Sequence, residues 1–204
     1  MKKLYPLFFC FIACINLPIN ATPIDSIFAN LKVKELSLLT KNNRLDLLDY
    51  INCGQKSKVD NRYGGQTHLT VKTDHYISLS QTSVSDVEMV LLQHMGGDTV
   101  VCMISTLKRP YEESTVHFYN LQGHACAPLF SVPSASSLLS ETYPAFAAMF
   151  IPVIVRYDID SSVFVFKPSV SHLPDEEQKK FAGKLLEVRY KWESATWIKL
   201  EPSR

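Results

Sequence analysis

The chain has 204 residues, with 21 Lys plus Arg against 20 Asp plus Glu, 46% hydrophobic and 20% charged residues. That composition is of a folded globular protein; it excludes intrinsic disorder and offers too little net positive charge to hold nucleic acid or an anionic membrane by field alone. At this size one core forms without a metal or disulfide staple.

Lys2 and Lys3, the apolar stretch Leu4 to Ile15 and the small residue closing Ile19-Asn20-Ala21 read as a secretory signal peptide over residues 1–21. Asn16, Pro18 and Asn20 cut the run short of the about 20 apolar residues that a membrane span needs. Ala13-Cys14 also resembles a bacterial lipoprotein site, but Phe11 stands where leucine is usual, which argues against an anchor through Cys14. Cleavage after Ala21 removes Lys2, Lys3, Cys10, Cys14 and no acid, leaving 22–204 as a single domain with 19 basic and 20 acidic side chains. The expected destination is the periplasm or cell envelope. Cys53, Cys102 and Cys126 remain, enough for at most one internal bridge. Cys102 sits in the apolar run Thr99 to Leu107 and reads as a small buried hydrophobe, whereas Cys53 and Cys126 could pair.

In chain order, Pro23 opens a helix that continues with helical spacing through Lys34 to Leu39. Asn42 or Asn43 caps a second helix ending near Gly54. Its apolar side is expected to carry Leu45, Leu47, Leu48 and Ile51, and its solvated side Arg44, Asp46 and Asp49. From Thr67 the period changes to two. Strands are expected at His68 to Thr73, Tyr76 to Ser80, Val84 to Gln93, Thr99 to Leu107 after the turn Gly96-Gly97-Asp98, and Ser114 to Asn120 after a reversal at Pro110. Gln122 to Pro152, rich in Pro and Ser, reads as a long connection packed through Leu138, Leu139, Phe146, Met149, Phe150 and Ile151, with one or two short helical turns. Val153 to Asp158 and Ser162 to Phe166 form a hairpin, Pro174-Asp175-Glu176-Glu177 opens a helix running to about Leu185, and Leu186 to Trp192 with Trp197 to Leu200 close the chain as a last hairpin. The expected fold is α+β: an antiparallel β-sheet meander with N-terminal helices and one C-terminal helix between strands, the sheet having one face on the core and one on solvent or the helices.

Leu38 to Tyr50 (LLTKNNRLDLLDY), Gly64-Gly65, Tyr76 to Ser80 (YISLS), Val100 to Tyr119 and the closing Glu176-Glu177 with Tyr190-Lys191-Trp192 together resemble a Bacteroidales family of exported proteins carried as a domain of unknown function. Where its members often carry Met-Pro-Asp, this chain has Leu31-Lys32-Val33, so the entry turn to the second helix differs. The resemblance implies an exported domain and supplies no catalytic residue.

Gly64-Gly65-Gln66-Thr67 precedes a strand and lacks a lysine, so it is a turn and not a phosphate loop. His117, His124 and Cys126 are the one close group of soft ligands, but their spacing fits no standard zinc pattern and His117 alternates as a solvent-facing strand residue. Neither Asp46 with Asp49, nor His75 beside Asp74, nor His172 before Pro174 is accompanied by a nucleophile elbow. Arg189, Lys191 and Lys199 set against Tyr190, Trp192 and Trp197 resemble a basic and aromatic surface, read more simply as aromatics facing the core with basic residues guarding an edge strand. No catalytic, cofactor or metal residue is therefore assigned. The expected function is a non-enzymatic binding or assembly module of the envelope whose partner is another envelope protein or a small ligand. A hydrolase with a loop-dispersed site and a carrier of lipid or other apolar cargo are the alternatives.

Overall fold

The computed structural model describes residues 23–94, 97–139 and 149–200. Residues 1–22, on which the expected signal peptide with Cys10 and Cys14 falls, 95–96 with Gly96 of the expected turn, 140–148 with Phe146, and 201–204 lie outside them. The elements are α1 (Pro23–Asn30), α2 (Lys41–Asn52), β1 (Lys58–Asp60), β2 (Gln66–Lys72), β3 (Tyr76–Thr82), β4 (Ser85–Gln93), β5 (Thr99–Leu107), β6 (Glu113–Tyr119), β7 (Val153–Asp158), β8 (Val163–Pro168), α3 (Asp175–Phe181), β9 (Val188–Glu193) and β10 (Thr196–Leu200). The fold is α+β and its strands are antiparallel, but they form two sheets: a six-stranded meander β1 to β6 and a four-stranded sheet in the order β10-β9-β8-β7.

Three layers result, because the six-stranded sheet is covered on both faces. Val87, Met89, Val101 and Met103 point to one side and join Ile24, Phe28, Leu47 and Leu48 of the helices. Val90, Leu92, Val100, Cys102 and Ile104 point to the other and join Val155, Phe164 and Phe166 of the second sheet. A strand buried on both sides loses its polar phase, which is why Glu88-Met89-Val90-Leu91-Leu92 and Val100 to Ile104 read as nearly continuous apolar runs. The expected solvent face of the meander is instead the seat of the second sheet.

Helix α1 buries Ile24 and Phe28, and Leu31 just beyond its end continues the stripe at i, i+4 and i+7. It stops at Asn30, and Lys34–Leu36 is a separate 3-10 turn, so the expected continuous helix is broken at the connector 31–39. Helix α2 is capped by Thr40, not by Asn42 or Asn43: Thr40 Oγ1 accepts from the Asn43 N–H at 3.1 Å and Asn43 Oδ1 accepts from the Thr40 N–H at 2.9 Å. Its inward stripe is Arg44, Leu47, Leu48 and Ile51, while Leu45 is exposed. The expected sides of Arg44 and Leu45 are thus exchanged. The cause is local: α1 ends with carbonyls that have no helical partner, and Arg44 Nη1 donates to that of Leu31.

Candidate functional site around the connector 31–39

The connector is pinned from three directions. Leu36 and Leu39 are buried, Gln81 Nε2 donates to the Glu35 carbonyl, and the turn after β6 brings Gly123 against the Lys32 backbone. Glu35 is thereby forced inward, its side chain 2% exposed. Residues 113, 115, 117 and 119 of β6 share the face that looks at the helix layer, since Tyr119 lies opposite Val101 and His117 opposite Met103. Tyr119 donates its hydroxyl to both Glu35 oxygens at 3.0 Å. His117 Nδ1 stands 3.2 Å from Glu35 Oε1, within ion-pair range but off the hydrogen-bond axis, and Lys34 Nζ is 3.0 Å from His117 Nε2. An ammonium can only donate, so Nε2 accepts and the ring proton is placed on Nδ1, facing the carboxylate. Burial, then the Glu35 charge and hydrogen bond, push the Tyr119 phenol up to about 12. A cleft of about 310 Å³ opens beside this relay, lined by Lys34, Glu35, Ser105, Leu107, Glu113 and Thr115.

A carboxylate behind Nδ1 with Nε2 directed outward is the outline of a general base, although the Nδ1–H is off the axis that would orient it. Here that lone pair is already engaged by Lys34. The relay therefore closes on itself: the Tyr119 phenol holds the buried Glu35 anion, the neutral His117 ring lies beside it, and Lys34 closes the outer nitrogen, which leaves Ser105, Thr115 and Glu113 of the cleft wall unspent.

The other residues considered from sequence lie apart. His117 does not point to solvent but to Glu35; Cys126 packs against the opposite face of the sheet, and His124 is exposed, so the three do not converge. Among the described residues no three His, Cys, Asp or Glu side chains are grouped as metal ligands. Cys126 instead lines a cavity of about 520 Å³ with His94, Asp98, Asn120 and Leu129. Cys53, Cys102 and Cys126 are all free thiols, so the expected option of a Cys53–Cys126 bridge is not taken. Asp46 and Asp49 are exposed. His75 meets Tyr157 edge-on at 6.3 Å, and His172 contacts the Phe150 carbonyl through Nε2 at 2.9 Å within a cluster holding Tyr111.

The basic and aromatic strands resolve by register. Trp197 is opposite Trp192 and Lys199 is opposite Tyr190, so Lys199 shares the phase of the aromatics, not that of Arg189 and Lys191. The aromatics do face the core: Trp197 stacks on Phe130 at 4.1 Å and on Tyr190 at 5.1 Å. Arg189 pairs with Glu187 and Asp158, and Lys191 with Glu193.

Glu88 is another buried carboxylate, with no motif around it to mark it in the sequence. Glu88 of β4 accepts from the Tyr157 N–H at 2.8 Å and lies 3.7 Å from Arg156, while Ser114 Oγ accepts from the Val155 N–H at 3.0 Å. The open edge of β7 is thus closed by side chains of the other sheet, which blunts it against strand addition. Burial raises the Glu88 carboxyl above the usual range against the opposing pull of these partners.

No helix of the described residues is long and apolar enough to cross a membrane. None of the curated proteins matches the chain. Among solved structures it is similar to a domain of an uncharacterized protein from Porphyromonas gingivalis W83, with a TM-score of 0.72 at 18% identity over 88% of this chain and 98% of that one. At that identity the likeness is one of fold. Residues 16–197 match the family described as protein of unknown function (DUF3256), and with a match of that extent the chain belongs to this family.

Proposed function

We propose that the protein is exported to the cell envelope and works there by non-covalent binding, with the connector 31–39 and the strand face beside it as its recognition surface. The observation that carries this reading is the relay itself: His117 stands 3.2 Å from the buried Glu35 carboxylate and has its outward nitrogen bound to Lys34 at 3.0 Å, next to an open cleft with Ser105, Thr115 and Glu113 in its wall. Such a site is built to hold charges in fixed places. It is not poised to abstract a proton. The interlayer space that a carrier of apolar cargo would need is filled by Phe130, Phe164, Phe166 and Trp197, whose rings lie 4.1 to 6.0 Å apart. Export is supported by the Lys2-Lys3 start, the apolar stretch and the small residue at Ala21.

Cell fractionation with N-terminal sequencing tests the location, and recovery from the envelope fraction with Thr22 first is expected. Retention in the cytosol with the leader intact overturns it. Assay of the same preparation on ester, phosphoester and glycoside probes tests the rest: turnover that disappears in His117→Ala would replace binding by catalysis.

A further inference from the structure

The connector borders another cavity, of about 270 Å³, lined by Arg44, Arg62, Lys32, Lys34 and Ser37 together with buried leucines. No residue lining it carries a carboxylate. Arg44 is more than nine-tenths buried; it uses Nη1 on the Leu31 carbonyl, and its Nε–H, shielded from water, has no acceptor. Arg62 is exposed at the rim, and its positive charge adds to burial in pushing the Arg44 guanidinium down from its usual range. We propose that this cavity is an oxyanion site that takes a phosphoryl group. The proposal rests on the reading of the protein as a binding module and names the class of ligand.

Three observations converge on it. Two guanidinium groups with like charge face one cavity, and among the described residues neither is paired with an acid. An orphaned buried donor is costly, so a folded chain that keeps one calls for an acceptor from outside. Capping the Leu31 carbonyl explains one N–H of Arg44 and leaves Nε free, and Arg62, whose backbone N–H bonds the Leu38 carbonyl at 3.0 Å, has its guanidinium left over at the rim. A planar guanidinium fork suits a phosphoryl oxygen pair better than it suits any single carbonyl, and Ser37 and Lys32 add a hydroxyl and a third cation at the same wall. Glu35, the acid next in sequence, is turned to Tyr119 and His117 and does not neutralise the cavity.

The test uses the full chain as its host processes it. Inorganic phosphate and glycerol 3-phosphate are titrated calorimetrically at constant ionic strength against chloride, and phosphatidylglycerol vesicles are compared with phosphatidylcholine vesicles by cosedimentation. Saturable binding of at least one phosphate probe is expected, weakened roughly tenfold or more by Arg62→Ala, partly restored by Arg62→Lys, and unchanged by Lys199→Ala. Binding of the soluble phosphates alone identifies a free phosphate ester as the source; binding of the anionic vesicles alone identifies a lipid headgroup. Arg62 is exposed, so its variants are expected to melt with the parent, and a melting curve checks this. No saturable binding of any probe, or binding that Arg62→Ala leaves intact, overturns the site. Failure of binding in protein recovered from the envelope removes this inference alone, whereas phosphate binding by protein that stays in the cytosol removes the export reading and leaves the site standing.

Discussion

Glu88 and Tyr157 join the two sheets: a carboxylate on the central strand β4 accepts the backbone N–H of the edge strand β7 at 2.8 Å. A backbone donor that would otherwise be open to strand addition is satisfied by a side chain, and the second sheet is located on the first by a polar bond as well as by its phenylalanines. Glu88→Ala is expected to cost about 2 kcal/mol, because the Tyr157 N–H loses its acceptor inside the fold. Glu88→Gln keeps an acceptor and is expected to cost about 1 kcal/mol or less at neutral pH. The sign of the pH dependence follows from burial. The folded carboxyl titrates above its usual 4.5, so its contribution to stability is fully present below that value and declines as pH rises through the elevated one. Denaturant midpoints measured from pH 4 upward should show the parent losing stability relative to Glu88→Gln; parallel curves contradict the account.

The three thiols differ in reach. Cys53 is exposed, Cys126 half-buried and Cys102 fully buried, with burial and then the nearby Glu88 charge raising the Cys102 thiol well above its usual range. A thiolate-selective reagent should therefore modify Cys53 first, Cys126 more slowly, and Cys102 only when denaturant opens the core. Mass spectrometry of timed samples reads the order. Rapid modification of Cys102 in the native protein would contradict the assignment of residues 99–107 as a strand covered on both faces.

Trp197 is held between Phe130 and Tyr190, with interplanar angles of 12° and 9°. This stack ties the loop before the second sheet to the last two strands. Trp197→Ala is expected to lose about 3 kcal/mol, from apolar area and ring contacts together. Trp192→Phe removes only the indole donor to the Gln93 carbonyl at 2.7 Å and is expected to cost about 1 kcal/mol. Thermal denaturation followed by far-UV circular dichroism ranks the two, and an inverted order would refute the stack as the stronger tie.

How far these relationships could be read in advance depends on sequence distance. The meander was legible because β3 to β6 are joined by short turns and keep a period of two, and the hairpins β7–β8 and β9–β10 were legible for the same reason. That the strands divide into two sheets was not, since the division depends on Phe130 meeting Trp197 and on Glu88 meeting Tyr157, 69 positions away. Arg44 was placed on the wrong side of α2 because charge normally marks the solvated face; only the position of the Leu31 carbonyl explains its burial. Glu35 lies between Lys34 and Leu36 like any surface acid, and its partner Tyr119 is 84 positions later. A faint signal was present: His117 and Tyr119 occupy one phase of β6, so an acid in the helix layer could have been sought for both.

Gly123 illustrates a local constraint with a remote cause. Its φ is +86°, and a Cβ added there would lie 3.0 Å from the Lys32 carbonyl oxygen. A side chain would meet both the left-handed backbone cost and a backbone atom that cannot swing aside. Gly123→Ala is expected to destabilise by about 2 kcal/mol and to loosen the connector. Hydrogen exchange should become faster at Leu36, Ser37 and Leu39, whose amides bond to carbonyls three residues back. Unaltered exchange at these amides would separate the turn 120–124 from the connector.

Tyr119 offers the sharpest test of the buried relay. Its hydroxyl donates to both oxygens of a carboxylate that is almost wholly removed from water, and a hydrogen bond to a charged acceptor is worth about 1.5–3 kcal/mol. Tyr119→Phe should lose about 2 kcal/mol at neutral pH, with His117 left as the nearest donor to Glu35. The phenol titrates at about 12 in the fold against 10 in the unfolded chain, so the protonated form is the one that folding favours. Its contribution is complete below pH 10 and disappears as pH rises from 10 to 12. Burial also raises the phenols of Tyr76 and Tyr157, and they remain in both proteins, so the difference between parent and Tyr119→Phe isolates the one group. The two stability curves are expected to converge over that interval; a gap that stays constant to pH 12 would mean that the Tyr119 hydroxyl does not hold Glu35.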